Sequence, residues 1–150
     1  MRLLPLLAAS LLTACATTPL PQSRFTNPVL DTDFPDPTVI QAGDGAFYAY
    51  ATQGGDPIRN IQVARSPDMV TWQIVGDALP VKPSWASRTQ DFWAPDVYHA
   101  GGRYYLYYSA KPDAALTDQS RGLCLAVGTA AQPEVRSPTK ASRCCAAKGS

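Results

Sequence analysis

The chain has 150 residues, a length that suits one small domain, and a formal net charge of +1. A charge this balanced offers no broad basic face, which argues against nucleic acid as a partner. Of its four cysteines, Cys144 and Cys145 are adjacent, and that spacing matches neither a zinc site nor a disulfide framework.

The first residues predict export rather than folding. Arg2 gives residues 1–15 a minimal positive start, and their apolar stretch at 3–12 is shorter than the roughly 20 residues that span a bilayer. The letters LTAC at 12–15 resemble a bacterial lipobox, which would make Cys15 the lipidated N-terminus of a periplasmic or cell-surface protein. An ordinary signal peptide and a secreted product are the alternative. Residues 16–26, with two prolines, are predicted to be a linker.

Two later stretches share one pattern. Residues 35–52 with 61–66, and residues 95–109 with 123–128, run from Pro-Asp through a short strand, a glycine turn and an aromatic-rich strand to a third apolar strand. Residues 71–75 predict a fourth strand in the first unit, and no helical period is present. The pattern indicates an all-β chain and is typical of β-propeller blades, with two hairpins in a sandwich as the alternative.

The repeat does not fill a propeller, which needs four or more blades. Residues 27–133 supply one unit and most of a second. Residues 134–150 contain no aromatic side chain, four Lys or Arg, and no acid after Glu134. We therefore expect them to form an aberrant, disordered tail, and we hypothesise that a reading-frame shift produced it.

Four segments stand in order at blade spacing: NPVL at 27–30, FPDP at 34–37, SPDMVTW at 66–72 and FWAPDV at 92–97. Together they resemble the N-terminal part of glycoside hydrolase family 43. The resemblance covers about residues 27–133. It implies the first two blades of a five-bladed β-propeller that hydrolyses O-glycosidic bonds in arabinan, xylan or related plant polysaccharides.

The resemblance gives Asp36, between Pro35 and Pro37, the role of general base. An inverting glycosidase also needs an acid ~6.5–9.5 Å from its base, so that water fits between base and sugar. The family takes that acid, and an aspartate that adjusts its pKa, from later blades. The only glutamate here is Glu134, in the suspect tail. We therefore expect these residues alone to be inactive.

The substrate-binding candidates lie near the second Pro-Asp. Asp96 is expected to shape the cavity, Trp93 and Phe92 to offer a stacking face for sugar, and Trp85 to lie at the rim; burial in the core or at the cavity edge is the alternative for the aromatic residues. His99 is expected to face solvent. No metal-ligand set is visible, so no cofactor is predicted, although some relatives carry calcium in the axial channel.

Other functions stay open on sequence grounds. A lipid-anchored carbohydrate-binding protein would also lack an acid and keep its aromatic residues. A retaining fructan-active propeller would use Asp36 as a nucleophile, but such enzymes show Asn-Asp-Pro where this chain has Pro-Asp-Pro. A broken gene product without function is the last alternative. The predicted partners are a plant polysaccharide and, through the lipid anchor, a bacterial membrane.

Overall fold

The computed structural model describes residues 25–118, 122–134 and the backbone of 142–144. Within these ranges the chain forms two four-stranded antiparallel sheets, each with its strands in chain order. The first sheet contains β1 (Thr38–Gln41), β2 (Phe47–Ala51), β3 (Gln62–Ser66) and β4 (Gln73–Asp77). The second contains β5 (Phe92–Ala100), β6 (Arg103–Ala110), β7 (Cys124–Ala130) and β8 (Ser142–Cys144). The all-β prediction is confirmed.

The helical segments among the described residues are two short 3-10 turns at Ser84–Ala86 and Asp113–Leu116. Over the described ranges, therefore, no helix has the length and apolar character needed to cross a membrane. The predicted export signal and the lipidation of Cys15 fall on residues 1–24, outside the described residues, and stay predictions.

The short strand β8 lies inside the stretch for which the sequence predicted a disordered tail. Its backbone pairs antiparallel with β7, with Leu125 opposite Cys144 and Val127 opposite Ser142. Ladder hydrogen bonds use main-chain groups, which is why composition did not reveal this strand. Cys124 is disulfide-bonded, which the cysteine spacing also failed to predict. The remaining residues after 134 lie outside the described ranges, and the origin of the tail stays a hypothesis.

Alternating burial explains how β6 forms and packs. Tyr104, Leu106 and Tyr108 are buried, whereas Arg103 and Tyr107 between and before them are exposed. Successive side chains in a strand point to opposite faces, so β6 gives one face to the core. The β5–β6 hairpin turns at two glycines with positive φ, as a tight hairpin requires.

The core lies between the two sheets. Tyr48, Tyr50 and Val63 from the first sheet join Phe92, Leu106 and Tyr108 from the second in one buried cluster. Strand β5 lies against β1 and β2. The two first strands are therefore neighbours, and both Pro-Asp segments meet at the junction between the sheets.

Candidate functional site

Asp36 stands two residues before β1 and is exposed. Its φ is 51°, in the left-handed region that few residues other than glycine adopt. Aspartate tolerates this region, but a residue before proline normally takes an extended conformation. Strained backbone of this kind is concentrated at functional sites and persists where the surroundings enforce it.

Thr52, just after β2, supplies part of that enforcement. Its hydroxyl donates a hydrogen bond to Asp36 Oδ2 over 3.1 Å and accepts one from the backbone N–H of Ala94 over 3.0 Å. The backbone N–H of Thr52 donates to the carbonyl of Pro35 over 3.1 Å. Thr52 is buried although it is polar, and its contacts reach both sheets.

A bulge in β5 brings Ala94 to Thr52. The pairing of β5 with β6 shifts register between Trp93 and Asp96, and Ala94 has a φ of 43°. Bulges next to functional sites re-aim neighbouring groups. Beyond the bulge, the Asp96 carboxylate accepts a hydrogen bond from the hydroxyl of Thr38 over 3.1 Å. A second polar link between the sheets thus lies beside the first.

Sequence reasoning missed Thr52 and Gln62. Gln62 is buried in β3, and its amide nitrogen donates to the carbonyls of Asp33 and Thr52 over 3.1 and 3.0 Å. It therefore fixes the loop before Asp36 relative to the end of β2. A glutamine beginning an apolar strand was a usable signal, because a buried polar group is retained where it is hydrogen-bonded.

The aromatic candidates separate on burial. Phe92 is fully buried, with its ring centroid 6.1 Å from that of Tyr108, so its proposed contact with sugar is wrong: the residue belongs to the core. Adjacent strand residues face opposite sides, so Phe92 and Trp93 cannot share one stacking surface. Trp93 is half-buried and stays a candidate. Trp85 is half-buried against the core, and its buried indole N–H has no partner among the described residues.

Glu134 does not lie beside Asp36. Its carboxylate lies 3.3 Å from the Tyr48 hydroxyl, whose single proton is shared between Glu134 and Asp44 of the β1–β2 turn, 3.1 Å away. These groups line a cavity of about 270 Å³. Asp36 contacts Thr52, and Thr52 lies four residues beyond Tyr48, a distance of roughly 13 Å at the rise of a strand. Glu134 therefore sits towards the other end of the hairpin and does not complete an acid–base pair.

The described side chains also do not assemble a metal site. No three or more His, Cys, Asp or Glu residues among them are grouped so that they could hold an ion. His99 is exposed, as predicted, and stacks on Tyr104 with ring centroids 4.3 Å apart. The described residues therefore do not supply the ligands that a calcium ion would need.

Comparison with known proteins places this geometry in a family. The sequence profile described as glycosyl hydrolases family 43 matches residues 25–137. The chain is 35% identical over 82 residues to an extracellular exo-α-(1→5)-L-arabinofuranosidase of Cellvibrio japonicus, covering 51% of this chain and 22% of the relative. It is 29% identical over 120 residues to an extracellular endo-α-(1→5)-L-arabinanase of Thermotoga petrophila, covering 70% of this chain and 22% of the relative.

The fold agrees with the sequence comparison. The crystal structure of a thermostable family-43 glycoside hydrolase superimposes with a TM-score of 0.60 at 27% identity, covering 80% of this chain and 36% of that one. The chain thus spans between a fifth and somewhat more than a third of these relatives. The matched region contains the first sheet, strands β5 to β7 of the second sheet and the strained aspartate between them. The chain belongs to glycosyl hydrolase family 43.

Proposed function

We propose that this chain carries the general base of an inverting glycosidase that acts on the α-L-arabinofuranosyl linkages of arabinan, with Asp36 as that base. Inversion needs a carboxylate that takes a proton from a water attacking the sugar from the side opposite the leaving group. The family assignment and the arabinan-active relatives support the reaction class and the substrate.

One observation carries the assignment of Asp36. An exposed carboxylate in a strained backbone conformation is held by a buried hydroxyl at the junction of two sheets. A general base must keep its oxygen within about 2.6–3.2 Å of the proton it removes, and a carboxylate fixed at the mouth of a cleft meets that need. A simple Asp-Pro turn requires neither Thr52 nor the second sheet.

We further propose that these 150 residues have no turnover by themselves. The only glutamate sits by the β1–β2 turn, away from Asp36. Loss of one member of an acid–base pair costs on the order of 10²–10⁴ in rate. The chain should release no product from an aryl α-L-arabinofuranoside or an aryl xyloside. Turnover that disappears in Asp36→Asn would show that the chain is active after all and would keep Asp36 as the base.

A chimera tests the base directly. Residues 27–133 replace the matching segment of the Thermotoga petrophila arabinanase, and hydrolysis of debranched arabinan is followed. We expect the chimera to be active, with a first product of inverted anomeric configuration by NMR. Asp36→Asn should lower its rate on the order of 10²–10⁴, whereas Asp56→Asn, an exposed control, should not. An active Asp36→Asn chimera would reject the assignment.

Export belongs to the same proposal. The leader-like residues 1–15 and relatives named as extracellular support a protein that leaves the cytoplasm. Cys15 is proposed as the lipid attachment site that anchors it to a bacterial membrane. Labelled palmitate should be incorporated into the wild-type chain in cells and not into Cys15→Ser; equal labelling of both would exclude Cys15 as the anchor.

A binding function without catalysis is the second candidate, and one surface favours it. The face of the second sheet that points away from the core carries Trp93, Tyr98, Tyr105 and Tyr107, because residues opposite each other across a ladder share a face. Flat aromatic faces suit sugar rings. Retardation of the chain by arabinan in affinity electrophoresis, together with an inactive chimera, would support this candidate over the hydrolase.

A further inference from the structure

We propose that Thr52 is a positioning residue for Asp36, and that its hydroxyl, which accepts a hydrogen bond from the backbone N–H of Ala94, sets the orientation of this carboxylate. The inference deepens the proposed function and rests on it for the catalytic meaning of Asp36. Thr52 does not itself touch a reacting atom; it acts through Asp36.

The chemistry of the two partners determines which hydrogen bond the Thr52 hydroxyl donates and which it accepts. A hydroxyl has one proton to donate and two lone pairs to accept with. The Ala94 N–H can only donate, so the hydroxyl accepts that bond over 3.0 Å. The carboxylate of Asp36 can only accept when ionised, so the single hydroxyl proton points to Oδ2 over 3.1 Å. The donor and acceptor of both hydrogen bonds are therefore fixed: the amide donates to the hydroxyl, and the hydroxyl donates to the carboxylate.

The arrangement leaves one oxygen of the Asp36 carboxylate free to accept a proton. Thr52 bonds to Oδ2, and Oδ1 has no partner among the described residues. A hydrogen bond to one oxygen restricts rotation of the carboxylate about its own side chain and keeps the other oxygen pointing in one direction. Oδ1 is thus the oxygen available to receive a proton from water.

The backbone of Thr52 is anchored on both sides. Its N–H donates to the carbonyl of Pro35, and its carbonyl accepts from the buried amide of Gln62. These bonds tie Thr52 to the residue before Asp36 and to strand β3. A donor held this firmly loses little further entropy when it binds the exposed carboxylate, so it can compete with water for Oδ2.

The amide that completes the chain belongs to the second sheet. Ala94 lies in the bulge of β5 with a φ of 43°, so its N–H direction follows from that bulge. Strain in a non-glycine residue needs compensation from its surroundings, and the bond to Thr52 is one such compensation. The bulge in the second sheet therefore helps to hold Asp36, which lies beside the first sheet.

NMR of the full 150-residue chain tests this without substrate. Three-bond couplings from the Asp36 carboxyl carbon to its backbone nitrogen and carbonyl carbon report whether the side chain holds one χ1 rotamer. We expect single-rotamer couplings in the wild type, rotamer-averaged couplings in Thr52→Val, and restoration in Thr52→Ser. Thr38→Val removes the neighbouring link to Asp96 and should leave the Asp36 couplings unchanged.

A merely structural role for Thr52 gives a different result. It predicts a lower melting temperature for Thr52→Val with wild-type couplings at Asp36, and that outcome would overturn the proposal. Averaged couplings in the wild-type chain would overturn it as well, and this measurement needs no variant to fold. Neither result depends on turnover, so failure of the base assignment in the chimera is distinguished from failure of the positioning role.

Discussion

Tyr50 in β2 and Tyr108 in β6 both have fully buried side chains but differ in what their hydroxyls meet. The Tyr50 hydroxyl donates to the carbonyl of Pro133, whereas the buried Tyr108 hydroxyl has no partner among the described residues. Burial raises the pKa of Tyr108 to about 12, so this hydroxyl stays protonated at neutral pH. Its O–H group makes no hydrogen bond to the described residues. The pair offers a matched test of what one buried hydrogen bond contributes.

Tyr50→Phe should lower the free energy of unfolding by about 1–2 kcal/mol, because it leaves the Pro133 carbonyl buried and unbonded. Tyr108→Phe should stay within about 0.5 kcal/mol of the wild type or stabilise the chain, since it removes a polar group without removing a bond. Urea denaturation of the three proteins measures both. Equal losses in the two variants would contradict the assignment of partners.

At the scale of elements, Asp113 joins the two 3-10 turns. The backbone N–H of Arg88 and the hydroxyl of Ser87, with the Ser87 N–H, donate to its carboxylate and hold its pKa below the ordinary value of 3.8. A lowered folded-state pKa gives stabilisation that is complete above pH 3.8 and is lost as the pH falls below it. The contact between the turns is therefore acid-sensitive.

Asp113→Asn should lower the melting temperature at pH 7, and its difference from the wild type should shrink as the pH falls below 3.8. Thermal melts of both proteins across this range measure the difference. Asp31→Asn, which alters an exposed carboxylate, serves as the control. A difference that stays constant down to the lowest pH would mean that the charge of Asp113 does not hold the turns together.

The sequence predicted elements better than it predicted contacts. Aromatic runs and glycine turns located both central hairpins, but the strand expected at 71–75 begins at Gln73. Asp68 explains the delay, because its carboxylate accepts from the backbone N–H groups of Val70 and Thr71 and keeps them in a turn. Side-chain bonds of this kind compete with the strand ladder, and the hydrophobic pattern does not record them.

The same limit applies to the site. Asp36 was found through its family segment, but Thr52 lies 16 residues away from it and Ala94 a further 42. The bond between Thr52 and Asp36 forms only when β1 pairs with β2, and the bond from Ala94 only when the two sheets pack, so no local pattern could have linked the three residues. Phe92 was misassigned for the related reason that its neighbour Trp93 faces the opposite side of the strand.

For the whole molecule, the outer face of the second sheet is the main exposed apolar surface among the described strands. Tyr98, Tyr107 and Leu125 there are 62%, 41% and 52% exposed. Exposed apolar faces of this kind promote association. We expect the isolated chain to self-associate as its concentration rises.

Tyr107→Lys should weaken that association, because it places a charge in the middle of the face. Val81→Lys is the matched control, since Val81 is also an exposed apolar residue, at 60%, but lies in a loop outside the strands. Sedimentation velocity at several concentrations measures the effect. Identical behaviour of the two variants would show that this face is not the surface through which copies associate.

The amide of Ala94 has a consequence for the order of events during synthesis. Ribosomes make Asp36 and Thr52 well before Ala94, and we expect the bulge that carries this amide to form only when β5 pairs with β6. Until then the hydroxyl of Thr52 is free to turn towards water, and the Asp36 side chain is not held in one orientation. We therefore expect the orientation of the Asp36 carboxylate to be set last, when the second hairpin is complete.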